Sequence, residues 1–274
     1  MLPIAQLAAA AALLPGFTQA GVGPGGGQVL RGPLPGTDRP GDIYLPPGFT
    51  RSQRYPVLYL LHGMPGSPDE YVNGLGLLKV ADGDIRSGVV RPFIAVLPAA
   101  GSRGRYDGEW AGPWERAVIT LVPWVDAHLP TVATAQGRAI AGLSAGGFGA
   151  VDIALRHPGV FGVVESWSGY FQPLLDGPFK TAAPAVLRAS DPVVLARTEA
   201  GKLRNAGVRF FLATGPSHSH WFGWRQTLAF TRELRSLGLP VRYHRYSDAA
   251  GEWRNQFQTG LAWAFRQSQH PGRG

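Results

Sequence analysis

The residues best suited to chemistry in this chain stand in Gly142-Leu143-Ser144-Ala145-Gly146, a G-x-S-x-G match continued by Gly147. That spacing suits a nucleophilic serine on a tight strand-to-helix turn. Small neighbours let the backbone take a strained conformation, and the turn lifts the hydroxyl above a sheet. The N-terminus of the following helix favours negative charge, which is what acyl transfer develops. A thiol nucleophile, a thiolate metal site and a disulfide framework are all excluded, because the chain has no cysteine. A second feature, His62-Gly63-Met64-Pro65-Gly66, ends an apolar run about 80 residues earlier. Such a loop can aim a backbone N–H at a substrate carbonyl oxygen. With Met64 and Ala145 as donors it would form an oxyanion hole, each donor contributing about 3–4 kcal/mol. His62 reads as a residue that holds this loop by hydrogen bonds rather than as a base, and with Trp110 and Trp221 it is a candidate for the substrate-facing wall.

These groups need a rigid frame, and the periodicity supplies one. Apolar runs at Pro56–Leu61, Pro92–Pro98, Arg138–Gly142, Phe161–Ser166, Val208–Ala213 and Val241–Tyr246 read as strands. Helical stripes fall at Trp114–His128, Gly146–His157, Thr227–Leu237 and Gln256–Gln267. Uninterrupted apolar strands alternating with helices predict an α/β fold whose parallel sheet is covered on both faces. In such sheets function sits at the carboxyl ends of the strands.

The 274 residues suit one large domain, expected over 28–268 with a tail at 269–274. Leu2–Phe17 is uncharged and apolar, too short for a membrane span and followed by the small-residue stretch Thr18-Gln19-Ala20. Residues 1–20 therefore read as a signal-like segment without its basic region, and the location as secreted or associated with the cell envelope or membrane. Gly21–Gly27 reads as a flexible linker. The net charge of +8 comes from dispersed arginines with no nucleic-acid-binding motif, so a nucleic-acid partner is not expected.

The ordered set Tyr44-Leu45-Pro46-Pro47-Gly48, Leu60-Leu61-His62-Gly63, Gly142–Gly147, Leu155-Arg156-His157-Pro158 and Ser168-Gly169 resembles the esterase branch of the α/β-hydrolases. That branch includes esterase D, feruloyl esterases and mycolyltransferases. The resemblance runs over about residues 40 to 265. It implies a mostly parallel sheet of eight strands and ester hydrolysis or acyl transfer without a cofactor or metal, on a small-molecule, lipid or cell-wall ester. It assigns Ser144 as nucleophile and the N–H groups of Met64 and Ala145 as the oxyanion hole. Asp107, Glu109 and Trp110 fall where relatives contact substrate, and His157 falls in a structural His-Pro turn.

The chain departs from that pattern where a triad needs its other two members. The segment after Val208–Ala213, where relatives keep the acid, is Thr214-Gly215-Pro216-Ser217-His218-Ser219-His220 and has no carboxylate. The segment after the last strand, where relatives keep the base, is Ala249-Ala250-Gly251-Glu252-Trp253, with Gly251 in place of His. One reading exchanges the two loops: His220, or His218, as base, and Asp248, or Glu252, as the orienting acid. A second reading is a hydrolase fold that binds a ligand without turning it over. A third takes His218-x-His220 with Asp248 or Glu252 as zinc ligands.

Overall fold

The computed structural model describes residues 14–101, 109–216, 223–247 and 252–266. Its sheet begins with three antiparallel strands, β1 (Thr18–Val22), β2 (Gln28–Gly32) and β3 (Gly41–Leu45). The remaining six are β4 (Val57–Leu61), β5 (Ile94–Leu97), β6 (Arg138–Leu143), β7 (Val163–Trp167), β8 (Arg209–Thr214) and β9 (Val241–Arg245). They pair in the order β1-β2-β3-β5-β4-β6-β7-β8-β9, and every pair from β5 onward is parallel. The sheet thus has nine strands, one more than the eight expected.

Strands β4, β5, β6 and β8 are largely apolar on both faces because both faces are covered, and β7 differs in carrying the buried Glu165 and Ser166. One apolar layer includes Val57, Tyr59 and Leu61, the other Leu58 and Leu60. The helices are α1 (Leu77–Arg86), α2 (Pro113–His128), α3 (Ala145–Arg156), α4 (Pro184–Ala189), α5 (Pro192–Asn205), α6 (Trp224–Ser236) and α7 (Glu252–Phe265). Helix α3 is central: every residue from Ala145 to Leu155 is buried. Among the described residues no helix is long and apolar enough to cross a membrane.

The domain boundaries expected at the N-terminus need correction. Gly21–Gly27 is no linker but the end and turn of the β1–β2 hairpin. Its glycines are there for close packing. The buried Asp82 carboxylate on α1 accepts from Gly25 N–H at 2.8 Å, Gly27 N–H at 3.1 Å and the Tyr44 hydroxyl at 2.9 Å. A Cβ on Gly27 would stand 2.1 Å from Asp82 Oδ1. The fold also reaches into the segment read as signal-like: Leu14 and Phe17 are core residues, and Phe17 lies flat against Gly32 and stacks on Trp124 at 6.2 Å.

Candidate active site

Strand β6 delivers Leu143 to the carboxyl edge of the sheet, and the chain turns there into α3. Ser144 sits at that junction with φ 55° and ψ −117°, a conformation that L-residues rarely adopt. The turn is held on both sides. Ser144 N–H donates to Trp167 O on β7 at 3.0 Å, and Ser144 O accepts from Gly147 N–H at 2.9 Å. No larger residue could replace Gly146, because a Cβ there would fall 1.8 Å from Leu61 O. Ser144 itself is partly exposed among buried neighbours. Ala145 opens α3, so its N–H has no intrahelical acceptor.

The same contact brings the His62–Gly66 loop against the turn, since Gly146 packs on the backbone of Leu61 and His62. Side chains pin this loop one carbonyl at a time. Tyr71 OH donates to Leu61 O at 2.8 Å, and Trp110 Nε1–H donates to His62 O at 2.9 Å. His62 is buried, with Nδ1 2.7 Å from Gly63 O and Nε2 accepting from Ala100 N–H at 3.1 Å. An Nε2 that accepts leaves the proton on Nδ1, so both ring nitrogens are committed. Burial also pushes the imidazole down to about 4. His62 is therefore a neutral support of the loop, and the substrate-facing role expected for it is not met. The same holds for Trp110, which is buried against the His62 ring at 5.0 Å.

Glu109, another residue where relatives contact substrate, is buried too and accepts from the Tyr170 hydroxyl. His157 bonds Glu115 Oε1 through Nε2 at 2.8 Å, the structural part that its His-Pro turn implied. Trp224 lies beneath the Arg245 guanidinium, 4.2 Å from the ring centre. Trp253 is half exposed.

The register ends the strands that lead into the other two candidate loops on the same edge as Ser144. Leu143 faces Trp167, Trp167 faces Ala213, and Thr214 faces Arg245, so β6 to β9 end together. His218, His220, Trp221, Asp248 and Asp107 lie outside the described residues. Glu252 begins α7. No group of three or more metal-ligating side chains is found among the described residues, and the His218-x-His220 zinc reading lies outside them.

Sequence reasoning missed two supports of this edge. Glu70 accepts from Gly63 N–H at 2.8 Å. Gln256, fully buried on α7, donates through Nε2 to Ser168 Oγ at 2.8 Å. Neither residue type carries a spacing signal. The hint was positional, an acid seven residues beyond His62-Gly63.

A parallel sheet with an antiparallel start, a strained serine between strand and helix, and a backbone-donor loop beside it define an α/β-hydrolase. Residues 33–264 match the family model described as "Putative esterase", and the chain belongs to that family. An esterase of Mycobacterium tuberculosis is 32% identical over a 239-residue alignment that covers 74% of this chain and 50% of that protein. The chain thus spans about half the length of that curated relative. An endo-1,4-β-xylanase/feruloyl esterase of Xylanibacter ruminicola is 35% identical over 142 residues, 47% of this chain and 19% of that protein. Among solved structures, a ferulic acid esterase superposes with a TM-score of 0.74 at 22% identity, covering 87% of this chain and 97% of its own. A fluorophosphonate-binding serine hydrolase of Staphylococcus aureus superposes with a TM-score of 0.69 at 16% identity, covering 89% and 99%. At those identities the two structures speak for the fold.

Proposed function

We propose that this chain hydrolyses carboxylic esters through an acyl-enzyme on Ser144. The observation that carries the proposal is the strained Ser144 turn at the N-terminus of α3, packed on a loop in which the carbonyls of Leu61, His62 and Gly63 are tied down. Ser144 Oγ attacks the ester carbonyl carbon and gives its proton to a histidine. The carbonyl oxygen, now negative, is met by the N–H groups of Met64 and Ala145. The alkoxide leaves with the proton from the histidine, and water then releases the acid by the same route in reverse. The base in this proposal is His220, with His218 as its alternate. It enters from the loop after β8, and Asp248 from the loop after β9, or Glu252 from the start of α7, orients it. Chain order does not bar the exchange, because a triad is defined by geometry. Aromatic-acid esters are the first substrates to try, since relatives and neighbours are named feruloyl esterases; acyl transfer would use the same intermediate.

The test pairs labelling with kinetics. A fluorophosphonate probe should label the chain and fail to label the Ser144→Ala variant. Replacement of His220 or His218 should lower turnover of a short p-nitrophenyl ester by about 10²-fold or more. If neither histidine matters, the exchanged triad is wrong. A folded chain that takes no probe would instead be a binding protein, a reading favoured by the missing carboxylate in Thr214–His220 and by Gly251 where relatives keep histidine.

Export or envelope association belongs to the same proposal and rests on the apolar Leu2–Phe17 stretch. Because Phe17 and β1 are part of the fold, a mature secreted form should retain them. N-terminal sequencing of secreted protein that begins at Gly21 would contradict this.

A further inference from the structure

We propose that Glu70 is the positioning residue of the oxyanion loop, its carboxylate anchoring Gly63 N–H and thereby setting the direction of Met64 N–H. The proposal rests on the reading of Ser144 and Met64 as catalytic.

Two consecutive peptide planes decide where Met64 N–H points. The His62–Gly63 plane is held at both ends, its carbonyl by Trp110 Nε1–H at 2.9 Å and its N–H by Glu70 Oε2 at 2.8 Å. The Gly63–Met64 plane is held at its carbonyl by His62 Nδ1–H at 2.7 Å. In a planar trans peptide the N–H opposes the C=O, so that plane presents Met64 N–H on the other side. Glu70 is the one acidic group in this clamp. Its second oxygen fills the curve of the loop, where a Cβ on Gly66 would meet Glu70 Oε1 at 2.2 Å. The carboxylate is itself fixed, because Glu70 opens the short π-helical turn Glu70–Gly74, whose next residue, Tyr71, is buried and bonds Leu61 O.

The charged groups around this turn are engaged elsewhere. Arg39, from the β2–β3 connection, donates to Gly66 O at 3.3 Å and to Ala100 O. Asp69 is paired with Arg31 of β2 at 2.8 Å. Burial pushes Glu70 up to about 7, against the stabilising bond from Gly63 N–H. The charged acceptor is therefore present above pH 7 and lost below it. A neutral carboxyl is a weaker acceptor for Gly63 N–H, so the loop loosens as pH falls through that range.

The full chain and its Glu70→Ala and Glu70→Gln variants separate anchor from bystander. Loss of the anchor should act in the transition state, lowering kcat for a short p-nitrophenyl ester by about 10- to 100-fold in Glu70→Ala with KM nearly unchanged. Glutamine keeps an acceptor oxygen and loses the titration. Glu70→Gln should hold kcat within about 3-fold at pH 8 and fall less steeply than the parent chain between pH 8 and pH 6. The Gly63 amide proton should shift with an apparent pKa near 7 in the parent chain and stay flat in Glu70→Gln. Wild-type kcat in a folded Glu70→Ala, or a Gly63 amide indifferent to this titration, overturns the proposal. Should Glu70→Ala fail to fold, the glutamine variant and the amide decide. Failure of the underlying reading looks different: Ser144 then takes no probe in the parent chain, and the Gly63 amide still reports whether Glu70 holds the loop.

Discussion

His62 shows how a residue beside a nucleophile can be shut out of the chemistry. Its two nitrogens face Gly63 O and Ala100 N–H, and its ring is buried. Removing the ring strands both backbone groups, at about 1–3 kcal/mol for each buried unsatisfied group. His62→Ala should therefore cost about 2–6 kcal/mol in denaturant unfolding, and a folded remnant should lose kcat more than KM. The pH dependence has a definite sign. Folded His62 is pushed down to about 4, whereas an unfolded histidine titrates near 6.5. The unfolded state thus binds the extra proton, and stability falls as pH drops from about 6.5 towards 4. The parent chain should lose on the order of 1–2 kcal/mol between pH 7 and pH 5 from this group. His62→Gln should lose less, and an equal loss in the two proteins would exclude His62 as the cause. The distinction between Ser144 and Glu70 lies at this scale too. Ser144 was readable because the glycines its turn requires are written around it, whereas an anchoring carboxylate needs only proximity, which spacing does not encode.

At the scale of elements, legibility follows burial. Strands β4 to β8 are covered on both faces, so β4 and β5 are unbroken apolar runs and β6 and β8 nearly so, while β7 breaks its run with Glu165 and Ser166, and helices α2, α3 and α6 leave stripes. The β1–β2 hairpin leaves no such mark. β1 is mostly exposed, and the Gly-rich turn reads as flexible when its glycines in fact make room for Asp82. Helix α1 hid behind Gly83 and a mixed run of charges. The hairpin's weight in the fold can be measured. Phe17→Ala should cost about 3–5 kcal/mol, the range for truncating a buried aromatic, because its ring sits on Gly32 and Trp124. A chain beginning at Gly21 lacks Phe17 and the first three residues of β1, so it should melt lower than Phe17→Ala. Equal melting temperatures for the full and shortened chains would show that these residues are dispensable.

Across the whole molecule, the sheet order sets what the exchanged triad must span. At about 4.8 Å per strand, the loops after β8 and β9 leave the sheet about 10 and 14 Å from β6. The sheet order fixes these spans and does not by itself assign base and acid, since a triad is defined by geometry and not by chain order. The sheet also carries a titration that has nothing to do with catalysis. Glu165 is fully buried on β7, and its Oε2 accepts from Trp167 Nε1–H at 2.9 Å and abuts Gly260 of α7. Arg209, the charge that could neutralise it, donates instead to Trp263 O and Ala264 O and lies over the Trp263 ring at 4.3 Å. Burial consequently pushes Glu165 up to about 8. Folded Glu165 keeps a proton that the unfolded chain gives up near pH 4.5, so its contribution to stability is full below 4.5 and is lost as pH rises towards 8. This is opposite in sign to His62, and together they lower stability at both ends of the range. Glu165→Gln should match the parent chain near pH 5 and exceed it at pH 9 by at least about 1 kcal/mol in denaturant unfolding. Parallel losses in the two proteins between pH 5 and pH 9 would mean that Arg209 already carries the charge of Glu165, and the alkaline limb would then have to come from elsewhere in the fold.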